Sequence, residues 1–239
     1  MLKFNRDMKW RARLNALRNY RINVDMLGGL HIDKSLKKEF YRKAIHLSSL
    51  WIPLVIYFST TSFAKTLFAV LLLMDFVVEY ANYRRQSWAR WLFAKLFART
   101  LREKETIRAS FQATGSMYVL AAALMCTVLF SKPIAIISLT VMLISDTAAA
   151  LFGKACGTRK LYKNKSLEGT AAFFMSALFV NMVCCSIYPF GVMSVIACLL
   201  ATFAEMYEDK IGIDDNFSIP LSVGGVLTLS ELAGKYAIL

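Results

Sequence analysis

The residues of this chain that could do chemistry crowd into one stretch, Ser145 to Thr170. Asp146 is an acid inside an otherwise apolar run. A bare carboxylate in hydrocarbon is expensive, so it should be held by a partner such as a cation. Three alanines and Gly153 follow, small enough to let a second backbone or a ligand come close. Gly153 and Gly157 then punctuate a short loop that also carries Lys154, Arg159, Lys160, Lys163 and Lys165. Ser166 offers an N-cap for the next helix. Glycine N–H groups, lysine charge and the partial positive charge of a helix N-terminus together suit the phosphates of a nucleotide. Asp146 and Glu168 could hold Mg²⁺, which takes oxygen ligands and usually bridges substrate phosphates. The alternative is a basic cytosolic loop beside an incidental buried acid.

These residues need elements to hold them, and the apolar pattern supplies helices. Over half of the 239 residues are hydrophobic. They fall into seven blocks, Leu47–Phe63, Thr66–Tyr80, Ala113–Phe130, Pro133–Phe152, Thr170–Tyr188, Gly191–Tyr207 and Phe217–Ala237. Each approaches the ~20 residues that cross hydrocarbon as a helix, though several are short enough to require tilt or local thinning. Strands are disfavoured because the blocks lack the alternation of a membrane barrel. The expected fold is an all-α, polytopic bundle of about seven spans (residues 42–239), preceded by a basic segment (residues 1–41). In that segment Phe4–Leu14 reads as an amphipathic helix on anionic lipid or as a solvated basic arm. The first forty residues are too polar for a cleavable signal peptide, so the first span should drive insertion.

The net charge of +13 is placed by topology. Basic residues gather before the first block and in the second and fourth connections, with Lys210 alone in the sixth, whereas the opposite turns hold only Lys65 and Lys132. The positive-inside rule makes the rich side cytosolic, with the N-terminus inside. The outer turns leave no room for a domain, so any active site should face the cytosol, in a bacterial inner membrane or an endoplasmic reticulum. Nucleic acid is not needed to explain the charge, and no recognition motif for it is visible. The five cysteines have no metal-ligand spacing and read as small buried hydrophobes.

Further polar residues sit at the cytosolic edges. Arg42 and His46 are four apart on one helical face, where they could meet phosphates or where His46 could act as a base. Asp75 and Glu79 share a face, to pair with Arg84 or Arg85 or to line the site. Glu205, Glu208, Asp209, Asp214 and Asp215 make the last cytosolic connection acidic, with Asp215 and Asn216 the favoured metal residues there.

The pattern Asp146…Ala149…Gly153…Gly157…Lys165-Ser166-x-Glu168-Gly169 resembles the CTP-binding signature of the CTP-dependent lipid kinases, the family of dolichol kinase, phytol kinase and CTP-dependent diacylglycerol kinase. The resemblance extends to Arg42-Lys43-x-x-His46, Thr114-Gly115-Ser116, Glu205, Asp215-Asn216 and Pro220, and so covers most of the chain from about residue 40. It implies transfer of the γ-phosphate of CTP to the hydroxyl of a membrane lipid alcohol. Asp146, Lys165, Glu168 and His46 would be catalytic. CTP would meet Gly153, Lys154, Gly157, Lys160, Ser166, Gly169, Arg42 and Lys43. Mg²⁺ would rest on Asp146, Asp215 and Asn216, with Glu79, Thr114, Ser116 and Glu205 lining the site. Phosphatidate cytidylyltransferase is similar in the central stretch, but its terminal His-Gly-Gly…Asp-Arg element is missing here. A transporter of an anionic solute is the alternative of another class; it would use the intramembrane acids and the basic mouth. No Walker-type P-loop occurs.

Overall fold

The computed structural model describes residues 34–89, 91–92, 111, 113–163 and 165–236. Two compact units divide the chain, Met1–Lys37 and Lys38–Leu239. The expected helix Phe4–Leu14 and most of the basic second connection lie outside the described residues.

The described residues are almost entirely helical. In chain order they form α1 (Lys34–Ser48), α2 (Trp51–Phe58), α3 (Thr61–Tyr83), α4 (Gly115–Leu129) and α5 (Lys132–Cys156). A two-stranded antiparallel hairpin, β1 (Lys160–Tyr162) and β2 (Lys165–Ser166), comes next. It leads into α6 (Leu167–Val183), α7 (Val192–Met206), the single turn α8 (Glu208–Ile211) and α9 (Asp215–Tyr236). Four helices, α3, α5, α6 with the 3₁₀ turn that follows it, and α9, are long and apolar enough to cross a membrane. With 15 residues each, α4 and α7 reach only ~22 Å, short of a ~30 Å hydrocarbon core.

The first expected span is divided. α1 ends at Ser48, residues 49–50 turn, and α2 has only eight residues. Pro53 is the cause: it has no N–H to give the Ser49 carbonyl, which accepts from Ile52 at 2.9 Å instead.

α5 is the central helix. Ile134, Ala135, Ile137, Leu139, Val141, Met142 and Leu143 leave it apolar and buried on every side, as a helix surrounded by others must be. It packs against α2, α4, α6 and α9. The outer helices turn large apolar side chains outward instead, Leu73 and Met74 on α3 and Met175 and Phe179 on α6 among them, a surface suited to lipid rather than water. Of the cysteines, Cys126 and Cys198 are buried as expected and Cys184 partly so, but Cys156 and Cys185 are exposed.

The crossing of α5 and α6 sets the site. A Cβ on Gly169 would stand 2.9 Å from the Ala149 carbonyl oxygen and 3.0 Å from Gly153 Cα, and one on Gly157 would strike the Gly153 carbonyl and the Ser166 hydroxyl. These glycines let two backbones meet. The Ser166 side chain caps α6, accepting from Gly169 N at 3.1 Å.

Candidate functional site

A cavity of about 520 Å³ opens where α5, α6, α7 and α9 meet the polar end of α1. Its walls hold Glu39, Arg42, Asp146, Ala149, Ala150, Gly153, Lys154, Lys165, Ser166, Gly169, Thr170, Glu205, Glu208 and Asp215. Residues from both ends of the Ser145–Thr170 stretch therefore share one space with α1 and the acidic connection.

Three ion-pair groups organise it. Asp146 is buried on α5 and pairs with Lys43 of α1, itself only 1 % exposed; His46 Nε2 lies 3.3 Å from the same carboxylate. The carboxylate therefore has the cationic partner its location demands. Burial pushes the His46 imidazole below its ordinary value, against the pull of Asp146. At the rim, Glu39 accepts from Arg42 at 2.5 Å and lies 3.5 Å from Lys154. Burial pushes the Glu39 carboxyl up, but the hydrogen bond and charge of Arg42 outweigh it and the net direction is down. On the far wall Lys165 pairs with Glu205 and lies 3.8 Å from Glu208 Oε2. Burial pulls the Lys165 ammonium down; the Glu205 carboxylate more than reverses this, and the net direction is up.

Some expected residues take other places. Glu168 does not line the cavity; it accepts from Thr158 Oγ1 at 2.5 Å and from Arg159 N at 3.4 Å, bracing the loop. Lys160 is exposed on β1, opposite Ser166. Gly157 packs on Ser166, and Lys43 and His46 stand behind Asp146 rather than on the cavity wall. Glu79, Thr114 and Ser116 form a separate cluster between α3 and α4. Glu79 accepts from Thr114 N at 3.1 Å and from its hydroxyl, so it caps α4 from a distant helix, while Ser116 donates to Asp75 at 3.1 Å. Glu39 was not foreseen, although its place three residues before Arg42 on a helix was the available signal.

The metal set is also regrouped. Carboxylate oxygens of Glu208, Asp214 and Asp215 lie within 4.8 Å of one another. Asp146, committed to Lys43, is not among them. The Asn216 amide donates to Asp214 Oδ1 at 2.6 Å, and its own Oδ1 is buried without a hydrogen-bond partner. Only oxygen donors are offered, a set that fits a hard divalent cation.

The cavity wall carries five carboxylates (Glu39, Asp146, Glu205, Glu208, Asp215) against three cations (Arg42, Lys154, Lys165). Lys43 neutralises Asp146 from behind, and with the glycine-lined crossing and the N-terminus of α6 the three wall cations give this arrangement the groups that can seat a phosphate chain.

Comparison with known proteins agrees with this chemistry. The chain is 31 % identical over 188 residues to an uncharacterized protein of Rickettsia prowazekii, covering 76 % of this chain and 89 % of that one. It is 28 % identical over 160 residues to CTP-dependent diacylglycerol kinase 1 of Saccharomyces cerevisiae, covering 64 % of this chain and 51 % of the yeast protein. Against CTP-dependent diacylglycerol kinase 1 of Schizosaccharomyces pombe it is 25 % identical over 208 residues, 78 % of this chain and 91 % of that one. No family model matches the chain, and no solved structure matches it.

Proposed function

We propose that this chain, which belongs to one family with the uncharacterized Rickettsia prowazekii protein, is an integral membrane kinase that moves the γ-phosphate of CTP to a lipid alcohol. Diacylglycerol is the first acceptor to test, because the two yeast relatives are named for it; dolichol, another polyprenol and phytol follow. The observation that carries the reading is the cavity itself, where Asp146, the Gly153–Gly169 crossing and the cations Arg42, Lys154 and Lys165 converge.

In this reading the apolar helices form about seven spans with the N-terminus and the cavity on the cytosolic side. The membrane is a bacterial inner membrane or the endoplasmic reticulum. CTP enters from the cytosol, and the acceptor arrives sideways from the bilayer. Arg42, Lys154 and Lys165 hold the phosphates and neutralise charge developing on the transferred group. Glu39 releases Arg42 and Lys154 to the nucleotide. The lipid hydroxyl oxygen bonds to the γ-phosphorus, the bond from that phosphorus to the bridging oxygen breaks, and CDP leaves with that oxygen. The hydroxyl proton passes to a carboxylate on the cavity wall, and His46, behind Asp146, positions that carboxylate. Glu168 is a positioning residue, acting through Thr158. A Mg²⁺ ion bound at the acidic side of the cavity, by Asp215 and its neighbours, would supply charge neutralisation to the phosphates.

The test is transfer by pure protein in lipid nanodiscs. Label from γ-labelled CTP on diacylglycerol, with CDP released and the transfer lost in Asp146→Ala while the variant still inserts, supports the kinase. α-Label on phosphatidate with pyrophosphate released would instead make it a cytidylyltransferase. Solute flux in proteoliposomes without CTP turnover would make it a transporter.

A further inference from the structure

We propose that Tyr207, braced by Tyr162, is the stacking platform for the base of the nucleotide, and that it supplies affinity for a nucleoside over a bare triphosphate. The inference rests on the kinase reading for the presence of a nucleotide. It adds the residues that hold the base, a task for which the glycine crossing and the wall cations have no suitable groups.

The hairpin places the pair. Between β1 and β2, Lys163 stands at φ 46°, in the left-handed region that a tight hairpin turn uses. Tyr162 is the direct cross-strand partner of Lys165. Directly opposed residues of an antiparallel pair put their side chains on one face. Lys165 uses that face to pair with Glu205 and to come within 3.8 Å of Glu208. Tyr162 uses it to meet Tyr207, with ring centres 5.2 Å apart and planes tilted by 60°. Glu205, Tyr207 and Glu208 lie together where α7 passes into α8. The aromatic contact and the ion pair therefore run side by side, and Lys165, Glu205 and Glu208 are cavity wall.

The two rings differ from those of the apolar core. Phe68 and Phe173 are fully enclosed, whereas Tyr162 and Tyr207 are only half-buried. Lys163 Nζ lies 5.7 Å over the Tyr162 ring, so Tyr162 already has a cation on one face and Tyr207 is the ring that receives the base. Tyrosines also anchor helices at a membrane surface. What sets this pair apart is its place beside Lys165, where the phosphates of the proposed donor would lie.

Bases stack on an aromatic ring with little regard to their identity, and one such contact is worth about 5- to 150-fold in affinity. The platform therefore favours a nucleoside triphosphate over inorganic triphosphate without itself selecting cytosine.

The experiment uses the full chain in nanodiscs and titrates it calorimetrically with CTP and, separately, with inorganic triphosphate, both with Mg²⁺. The readout is the ratio of the two affinities. Tyr207→Leu should weaken CTP by about tenfold or more and leave triphosphate within twofold. Tyr162→Leu should show a smaller loss of the same kind, and Tyr207→Phe should restore the ratio. A tyrosine that only ties the hairpin to α7 would weaken both ligands together in Tyr207→Leu, and one that only anchors the chain at the membrane surface would weaken neither. Either result overturns the proposal. Tyr207-dependent CTP binding without transfer to any lipid alcohol would sink the kinase reading alone. Transfer to diacylglycerol with an unchanged KM for CTP in Tyr207→Leu would sink this one alone, and a wild-type chain that binds no CTP would sink both.

Discussion

Gly169→Ala tests whether the α5–α6 crossing positions the site. The new Cβ would lie 2.9 Å from the Ala149 carbonyl oxygen and 3.0 Å from Gly153 Cα. Both are backbone atoms, so no side chain can swing away. Ordinary contact begins at 3.4 Å, and the helices must part by roughly 0.5 Å to reach it. Overpacking of this kind costs about 1–3 kcal/mol. Alanine returns about 0.5–1 kcal/mol of helix propensity, leaving a net loss on the order of 1 kcal/mol. Function should suffer more than stability, because the shift carries Lys165 and Ser166 away from Asp146 across the cavity. A 1 Å misplacement can cost about a hundredfold in rate, so half of that should cost about tenfold. The assay is kcat/KM for γ-label transfer from CTP to diacylglycerol, beside thermal unfolding in the same detergent. Gly225→Ala is the control, since nothing lies within 4 Å of its Cβ; it should keep full activity. Transfer within twofold of wild type for Gly169→Ala, or an equal loss in Gly225→Ala, would refute the reasoning.

The buried Lys43–Asp146 pair makes a second prediction: Lys43→Met should destabilise the chain by about 3–5 kcal/mol by stranding the carboxylate, and adding Asp146→Asn should recover much of that in thermal unfolding. His46 sets a pH dependence. Its folded value lies below the ordinary 6.5, so its contribution to stability is present above pH 6.5 and is lost as pH falls through the depressed folded value, where the unfolded chain already holds the proton; His46→Gln should flatten the acid side of the stability profile. Arg85 stands at φ 62°, with Arg85 N bonded to Asn82 O and Gln86 N to Ala81 O, both at 3.0 Å. That is the helix-ending turn glycine prefers, and Arg85→Gly should raise stability by about 0.5–1 kcal/mol in the same assay.

Periodicity and capping residues were legible in the sequence, and long-range partners were not. An acid within an apolar run requires a cation, and the structure supplies Lys43, 103 residues away. The sequence offered 29 lysines and arginines and no means of choosing among them for Asp146. Ser166 could be read as a cap because its partner is only three residues on. Glu79 could not, because the N-cap residue it holds, Thr114, lies 35 residues later. Pro53 was visible within the first apolar block, but counting hydrophobic residues does not register a missing N–H, so one span was expected where two helices meet.

The acidic connection shows where composition misleads most. A net charge of +13 reads as a chain ready for an anion. The cavity that would receive one has more carboxylates than cations on its wall. Most of the basic residues lie before the first apolar block and in the second connection, and Lys160 of β1 is exposed and not on the cavity wall. What an incoming phosphate meets is set by the few groups within reach, and Gly212 decides those by folding Asp214 and Asp215 back onto Glu208. That reversal, and not the overall charge, sets the acidic character of this side of the cavity.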